Sequence, residues 1–180
     1  HEFTREVGRE SGSHNATDGG RHWQRLAGHG LPEGQLARIV LTATHMAQGT
    51  RVYAVIDAEA NGGLYRSDDA GANWKIVNDD GALINSYFSS LTMVPGNPDA
   101  VYAMGRSIQL CKDGGAHCEI VKGAPGGDDY HYLWINPKHP ERMVTGSDQG
   151  TVVTVDAGKS WSSWYNQPTG QLYHLATDNR

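Results

Sequence analysis

One eight-residue pattern occurs four times in this chain, and its spacing constrains the fold more than any other feature. It consists of a small residue, any residue, Asp, any residue, Gly, two more residues, and then a large or sulfur-bearing closing residue. It reads Ala16-x-Asp18-x-Gly20-x-x-Trp23, Ser67-x-Asp69-x-Gly71-x-x-Trp74, Cys111-x-Asp113-x-Gly115-x-x-Cys118 and Thr154-x-Asp156-x-Gly158-x-x-Trp161. The closing positions are 51, 44 and 43 residues apart. A period in the forties leaves room for four short strands, which is one blade of a β-propeller. The local chemistry of each repeat suits a hairpin. An Asp side chain accepts backbone N–H groups within its own turn, Gly supplies positive φ, and Trp covers the turn with apolar area.

A second repeat has the same phase. Leu91-Thr-Met-Val-Pro95-Gly-Asn-Pro98 matches Leu133-Trp-Ile-Asn-Pro137-Lys-His-Pro140, and an extended run follows each. Short apolar runs such as Arg51-Val-Tyr-Ala-Val-Ile56 and Thr151-Val-Val-Thr-Val155 are bounded by Gly, Asp and Asn, and no segment has helical periodicity. The expectation is an all-β propeller of four-stranded antiparallel blades at residues 36–77, 87–121 and 130–164. Residues 22–26 read as the outer part of a further blade and 171–177 as an inner strand, giving three complete blades and two half-blades. Residues 1–14, which open His1-Glu2-Phe3 without Met, read as a tag, a linker or a partial strand. About four blades close alone, or form an eight-bladed homodimer through exchanged terminal strands, or belong to a larger ring.

The four boxes resemble the Asp-box, or BNR repeat, of β-propellers. The phrases Gly63-Leu-Tyr-Arg-Ser-Asp68, Leu133-Trp-Ile-Asn-Pro137 and Trp164-Tyr-Asn-Gln-Pro168 are similar to those of bacterial sortilin-like and glycosyl-hydrolase-like members. The likeness covers the chain from about Thr17 onward. It implies a secreted or periplasmic location, and either a hydrolase or a receptor-like binding module.

Composition removes two classes of partner from this expectation. The net charge is −5, from 15 basic and 20 acidic residues, and no basic stripe exists to neutralise phosphates, so no nucleic-acid partner is expected. No apolar run approaches the ~18 residues of a membrane span, so no membrane partner is expected either. Specific hydrolase signatures are missing. Arg38, Arg66 and Arg106 are present, but the Arg-Ile-Pro of sialidases is not, and there is no Gly-x-Ser-x-Gly or His-Glu-x-x-His.

Propeller topology places the boxes at one end of the blades and the blade-to-blade loops at the other. Asp18, Asp69, Asp113 and Asp156, with Trp23, Trp74 and Trp161, are therefore read as structural. Cys111 and Cys118 flank one hairpin; they form a disulfide that replaces the missing Trp, or they are two small apolar residues. The loop end gathers the candidate site. Asp128, Asp129 and His131 are the candidate catalytic groups. Arg38, Asp80, Tyr87, Tyr130, Trp134, Asp148 and Tyr173 are candidate ligand contacts. Asp129, His131 and His174 are candidate ligands for Zn²⁺ or Mn²⁺, since imidazole with carboxylate suits those ions. The plainer reading is that Asp128 and Asp129 cap a Gly-rich turn while His131 bonds a neighbouring strand. The functional expectation is a hydrolase-like propeller with an acidic ligand or metal site at the channel mouth. The alternative is a propeller that holds a small molecule, glycan or peptide without chemistry, or an inactive structural piece of a larger one.

Overall fold

A computed structural model describes residues 11–84, 89–124 and 127–164. A short hairpin of β1 (His14–Asn15) and β2 (Gln24–Arg25) flanks the first box. The first sheet is an antiparallel meander of β3 (Leu36–Met46), β4 (Gly49–Ala58), β5 (Gly63–Ser67) and β6 (Lys75–Asn78). The second repeats this order with β7 (Ser90–Val94), β8 (Asn97–Met104), β9 (Ile108–Lys112) and β10 (His117–Lys122). The third contains β11 (Tyr132–Ile135), β12 (Met143–Ser147) and β13 (Gly150–Thr154). Past its box the chain returns beside β13, where Ser162 N–H donates to the Val153 carbonyl at 2.9 Å. Two four-stranded sheets and a three-stranded one, all antiparallel and in sequence order, are the arrangement of propeller blades.

Pairing register aligns the sheets. Val52 faces Ser67, Val101 faces Cys111 and Met143 faces Thr154, so these pairs are equivalent. Successive residues of β4 point to opposite faces, and both faces are covered. Tyr53, Val55 and Leu64 pack with Val101, Ala103 and Cys111 of the second sheet. Ala54, Ile56 and Tyr65 pack on the other side with Trp74, Leu31 and Ile39. That double burial explains why Val-Tyr-Ala-Val-Ile is a continuous apolar run and not an alternating one. A further cluster joins Tyr102, Met104 and Ile108 of the second sheet to Tyr130, Leu133, Ile135 and Met143 of the third.

Polar stitches cross these contacts. The Arg51 side chain, mostly covered, meets Asp68 at 2.6 Å, the Pro98 carbonyl at 3.1 Å, and Asp99. Tyr53 donates to the same Pro98 carbonyl at 3.0 Å, and Arg66 donates to the Gly114 carbonyl at 3.0 Å. On the inner strands, Ser90 and Thr92 hydroxyls donate to the carbonyls of His131 and Leu133 at 3.0 and 3.2 Å.

The boxes share one bonding scheme with two variations. In the second, Asp69 Oδ1 accepts Asn73 N–H at 2.8 Å and Oδ2 accepts the Asn73 amide at 2.7 Å, while Ser67 Oγ receives Gly71 N–H at 2.8 Å. In the fourth, Asp156, Ser160 and Thr154 do the same. The residue before the box Gly and the Gly itself both have positive φ, 60° and 93° in the second box. Asp18 accepts Arg21 and His22 N–H groups at 2.9 and 3.1 Å. Asp113 departs from expectation. Its carboxylate meets the His117 ring at 3.0 Å and takes no backbone N–H among the described residues. Its own φ is 54°, which rotates the carboxylate away from the turn. Trp23 also departs: it folds over Gly20 as the other box tryptophans do, yet is 64% exposed, because no sheet packs on its outer side among the described residues.

Cys111 and Cys118 are joined by a disulfide, which takes the place of the Trp closure in the third box. A short closed loop of this kind restricts the unfolded chain by ~2–3 kcal/mol. Cys118→Ser should lower unfolding free energy by about that much, measured by denaturant melts with and without reductant. An unchanged midpoint in the variant would show that the third hairpin does not depend on the bond.

Candidate functional site

The two ends of the sheets differ in chemistry. At the box end, strand turns bond directly to the boxes: Ala70 N–H reaches the Thr50 carbonyl and Ala157 N–H the Glu141 carbonyl, both at 2.9 Å. The box carboxylates are held low there. Asp69 falls from the ordinary 3.8 to about 2 because the Asn73 amide and backbone, then Ser67, donate to its charged form. Asp156 falls to about 2 through Ser160 and Thr154 in the same way. A depressed carboxylate stabilises the fold above its unfolded value, and that contribution is lost as pH falls from about 4 through about 2. Thermal melts should therefore worsen across that window, and an Asp69→Asn, Asp156→Asn double variant should show a flatter acid limb; an equal acid slope would contradict the assignment.

At the opposite end, the loop after β10 and the β12–β13 turn come together. Asp128 N–H donates to Gln149 Oε1 at 3.1 Å, and Gln149 Nε2 donates back to Asp128 Oδ1 at 2.5 Å. Ser147 Oγ braces Gln149 Oε1 at 3.0 Å. His131 is held by its N–H to the Gly146 carbonyl, and its Nε2 lies 3.2 Å from Asp148 Oδ1. Tyr130 N–H donates to the Gly105 carbonyl at 2.8 Å, so the loop is anchored to the second sheet as well. Gly127 is required by both conformation and space. Its φ is 113°, and a Cβ there would sit 2.8 Å from Trp164 and 2.9 Å from the Tyr130 hydroxyl. Asp129 follows in a left-handed conformation, φ 53°.

Burial raises the Asp129 carboxyl above the usual aspartate range, and the charges of Asp128 and Asp148 push it further; His131 and Arg106 oppose them. A carboxyl shifted upward keeps its proton to higher pH than an ordinary aspartate, which is the direction a general acid requires.

Other expected residues lie elsewhere. Tyr130 is fully buried between the second and third sheets, with its hydroxyl pushed up to about 12 by burial and the Asp128 charge. It is a core residue and not a ligand contact, because the anchored loop turns its ring inward. Asp80 caps a short 3-10 turn at Gly81–Leu83, accepting Ala82 N–H at 2.9 Å. Arg38 lies on the first sheet, in the irregular stretch between Leu36 and Ile39. Trp134 is exposed on the face of the third sheet turned from the second. Tyr87, Tyr173 and His174 lie outside the described residues. Among the described residues, no three His, Cys, Asp or Glu side chains come close enough to hold a metal ion. Sequence reasoning missed the role of Gln149, the residue that locks Asp128; its signal is its place in Ser147-Asp148-Gln149-Gly150, a blade-end turn in phase with the repeat.

No protein-family model matches the chain, and no curated protein does. Solved structures do. An ancestral GH74 enzyme superposes with a TM-score of 0.58 at 14% identity, over 84% of this chain and 21% of that one. The GH74 enzyme of Niastella koreensis superposes with a TM-score of 0.50 at 14% identity, over 74% and 22%. The fold is that of part of a GH74 propeller. The chain spans about one-fifth of the length of those enzymes, and at such identity the likeness is one of fold.

Proposed function

We propose that the chain is the blade portion of a glycoside hydrolase-like propeller, with its carbohydrate-contacting groups at the loop end. The observation that carries this reading is the loop-end constellation itself. Asp129, with its raised carboxyl, sits in one tight turn with Asp128 and His131, and Asp148 and Gln149 lock that turn from the third sheet. Carboxylates of unlike proton affinity are the working parts of glycosidic acid–base chemistry. In this reading Asp129 donates a proton to the departing sugar oxygen. Asp128, held by Gln149, takes a proton from the water that attacks the anomeric carbon, and the His131–Asp148 pair orients the substrate. Likeness to part of the GH74 propellers favours a sugar polymer over a peptide as ligand.

The test is release of new reducing ends from a panel of soluble polysaccharides. Asp129→Asn should lower turnover by about 10²–10⁴-fold, the usual range for a general acid, with an unchanged melting temperature. Because the acid must hold its proton, wild-type turnover should fall as pH rises through the raised Asp129 value. Equal turnover in Asp129→Asn and wild type would sink the assignment. Retained polysaccharide binding with no turnover in the wild type would leave a non-catalytic glycan module. Stoichiometric Zn or Mn in the purified protein would instead bring in a metal, with Asp129, His131 and His174 as its ligands.

A further inference from the structure

The third box is closed differently from its neighbours. In the second, three side-chain hydrogen bonds close the turn: Ser67 Oγ accepts Gly71 N–H at 2.8 Å, Asp69 Oδ1 accepts Asn73 N–H at 2.8 Å, and the Trp74 indole donates to the Gly71 carbonyl at 2.9 Å. The fourth repeats all three through Thr154, Asp156 and Trp161. In the third, Cys111 has no hydroxyl, Cys118 has no indole, and Asp113 takes no backbone N–H among the described residues. The Cys111–Cys118 disulfide stands in for three hydrogen bonds.

That same box carries much of the junction between the first two sheets. Arg66 Nη1 donates to the Gly114 carbonyl at 3.0 Å, and Asn78 Nδ2 to the Ala116 carbonyl at 3.2 Å. The Asn78 amide also lies 3.4 Å from Cys118 Sγ. Cys111 is fully buried in a cluster with Tyr53, Val55 and Leu64. At the junction of the second and third sheets the fourth box takes the corresponding place, with Gly158 beside Met143 and Val121. That box contains no cysteine.

We propose that the Cys111–Cys118 bond is a redox latch whose reduction by a dithiol loosens the third box from the first sheet and leaves the second and third sheets joined. Cys118 is half-buried and Cys111 fully buried, so a thiolate of the reductant attacks Cys118 Sγ. Cys111 leaves as a thiolate and takes a proton. The second thiol of the reductant then displaces Cys118, which is protonated in turn. Two electrons pass to the protein, and the reductant ends as its own disulfide. The latch is independent of the glycosidic reading, because the Asp128–His131 turn is anchored through Gly105 and Gln149 on the second and third sheets.

Hydroxyl-radical footprinting of the full chain, oxidised and after dithiothreitol, tests this, with each rate taken relative to exposed Trp23 and the free thiols counted by alkylation and mass. On reduction, Tyr53 and Leu64 should label at least about five-fold faster, while Tyr130 and Met143 stay within about two-fold. A Cys111→Ala, Cys118→Ala double variant should label like the reduced chain and ignore dithiothreitol. Should that variant fail to fold, the reduced wild-type chain carries the comparison. Unchanged Tyr53 and Leu64 labelling with both thiols free overturns the proposal. Equal acceleration at Tyr130 and Met143, or a bond that resists dithiothreitol until the chain unfolds, overturns it as well.

Discussion

Truncating Trp74 to alanine is expected to destabilise the protein by about 3–5 kcal/mol, whereas the same change at Trp23 should cost less than about 1 kcal/mol. Both residues close a box and both fold over their box glycine, so the pattern alone assigns them one role. Their surroundings separate them. Trp74 is 8% exposed and packs with Ala54, Ile56 and Tyr65, while its indole N–H donates to the Gly71 carbonyl at 2.9 Å. Its backbone N–H holds the His29 carbonyl at 2.7 Å, so the segment leading into the first sheet is pinned at the same point. Trp23 has no such partner sheet among the described residues. Denaturant melts of the two variants read the difference directly, and equal losses would mean that the turn, not the packing, sets the value of a box tryptophan.

Gly115→Ala should cost about 2–5 kcal/mol, the sum of positive-φ strain and overpacking. Gly115 has a φ of 98°, and a Cβ would lie 2.7 Å from Val77, 3.1 Å from Leu64 and 3.3 Å from Tyr53. Those contacts belong to the first sheet, so the third box is wedged into the junction between the first two sheets. Gly19 is the natural control. It has a φ of 75° and nothing within 4 Å of an added Cβ, so Gly19→Ala carries the backbone strain alone, about 1 kcal/mol. A Gly115 variant no worse than the Gly19 variant would mean that the sheets yield at this junction.

The architecture was legible because its signals are local and repeated. Box spacing marks the third and fourth strands of each sheet, and the Leu91 and Leu133 phrases mark the first and second. What the sequence could not show is which residue pairs across sheets. Arg51 reads as a strand residue, and only the structure places it on Asp68 and Asp99. Tyr130 reads as a ligand contact in the sequence because it stands at the loop end of an inner strand. The backbone bond to Gly105 turns it into the core while its neighbours stay at the surface. The link between Asp128 and Gln149 spans 21 residues and depends on the third sheet's register. Asp113 carries the pattern without its bonds, because its own positive φ turns the carboxylate toward the His117 ring.

In the proposed function the two ends divide the labour: boxes hold the sheets together at one end, and the Asp128–His131 turn is proposed to meet a glycan at the other. Retention of the wild-type chain, His131→Ala and Asp156→Asn on a polysaccharide array, with melting temperatures measured alongside, tests it most directly. His131→Ala is expected to lose at least about ten-fold in retention at an unchanged melting temperature, as for a lost polar contact of roughly 1.4 kcal/mol. Asp156→Asn should melt earlier and retain glycan as the wild type does. Retention lost in Asp156→Asn and kept in His131→Ala would place the ligand at the box end and overturn the proposed function.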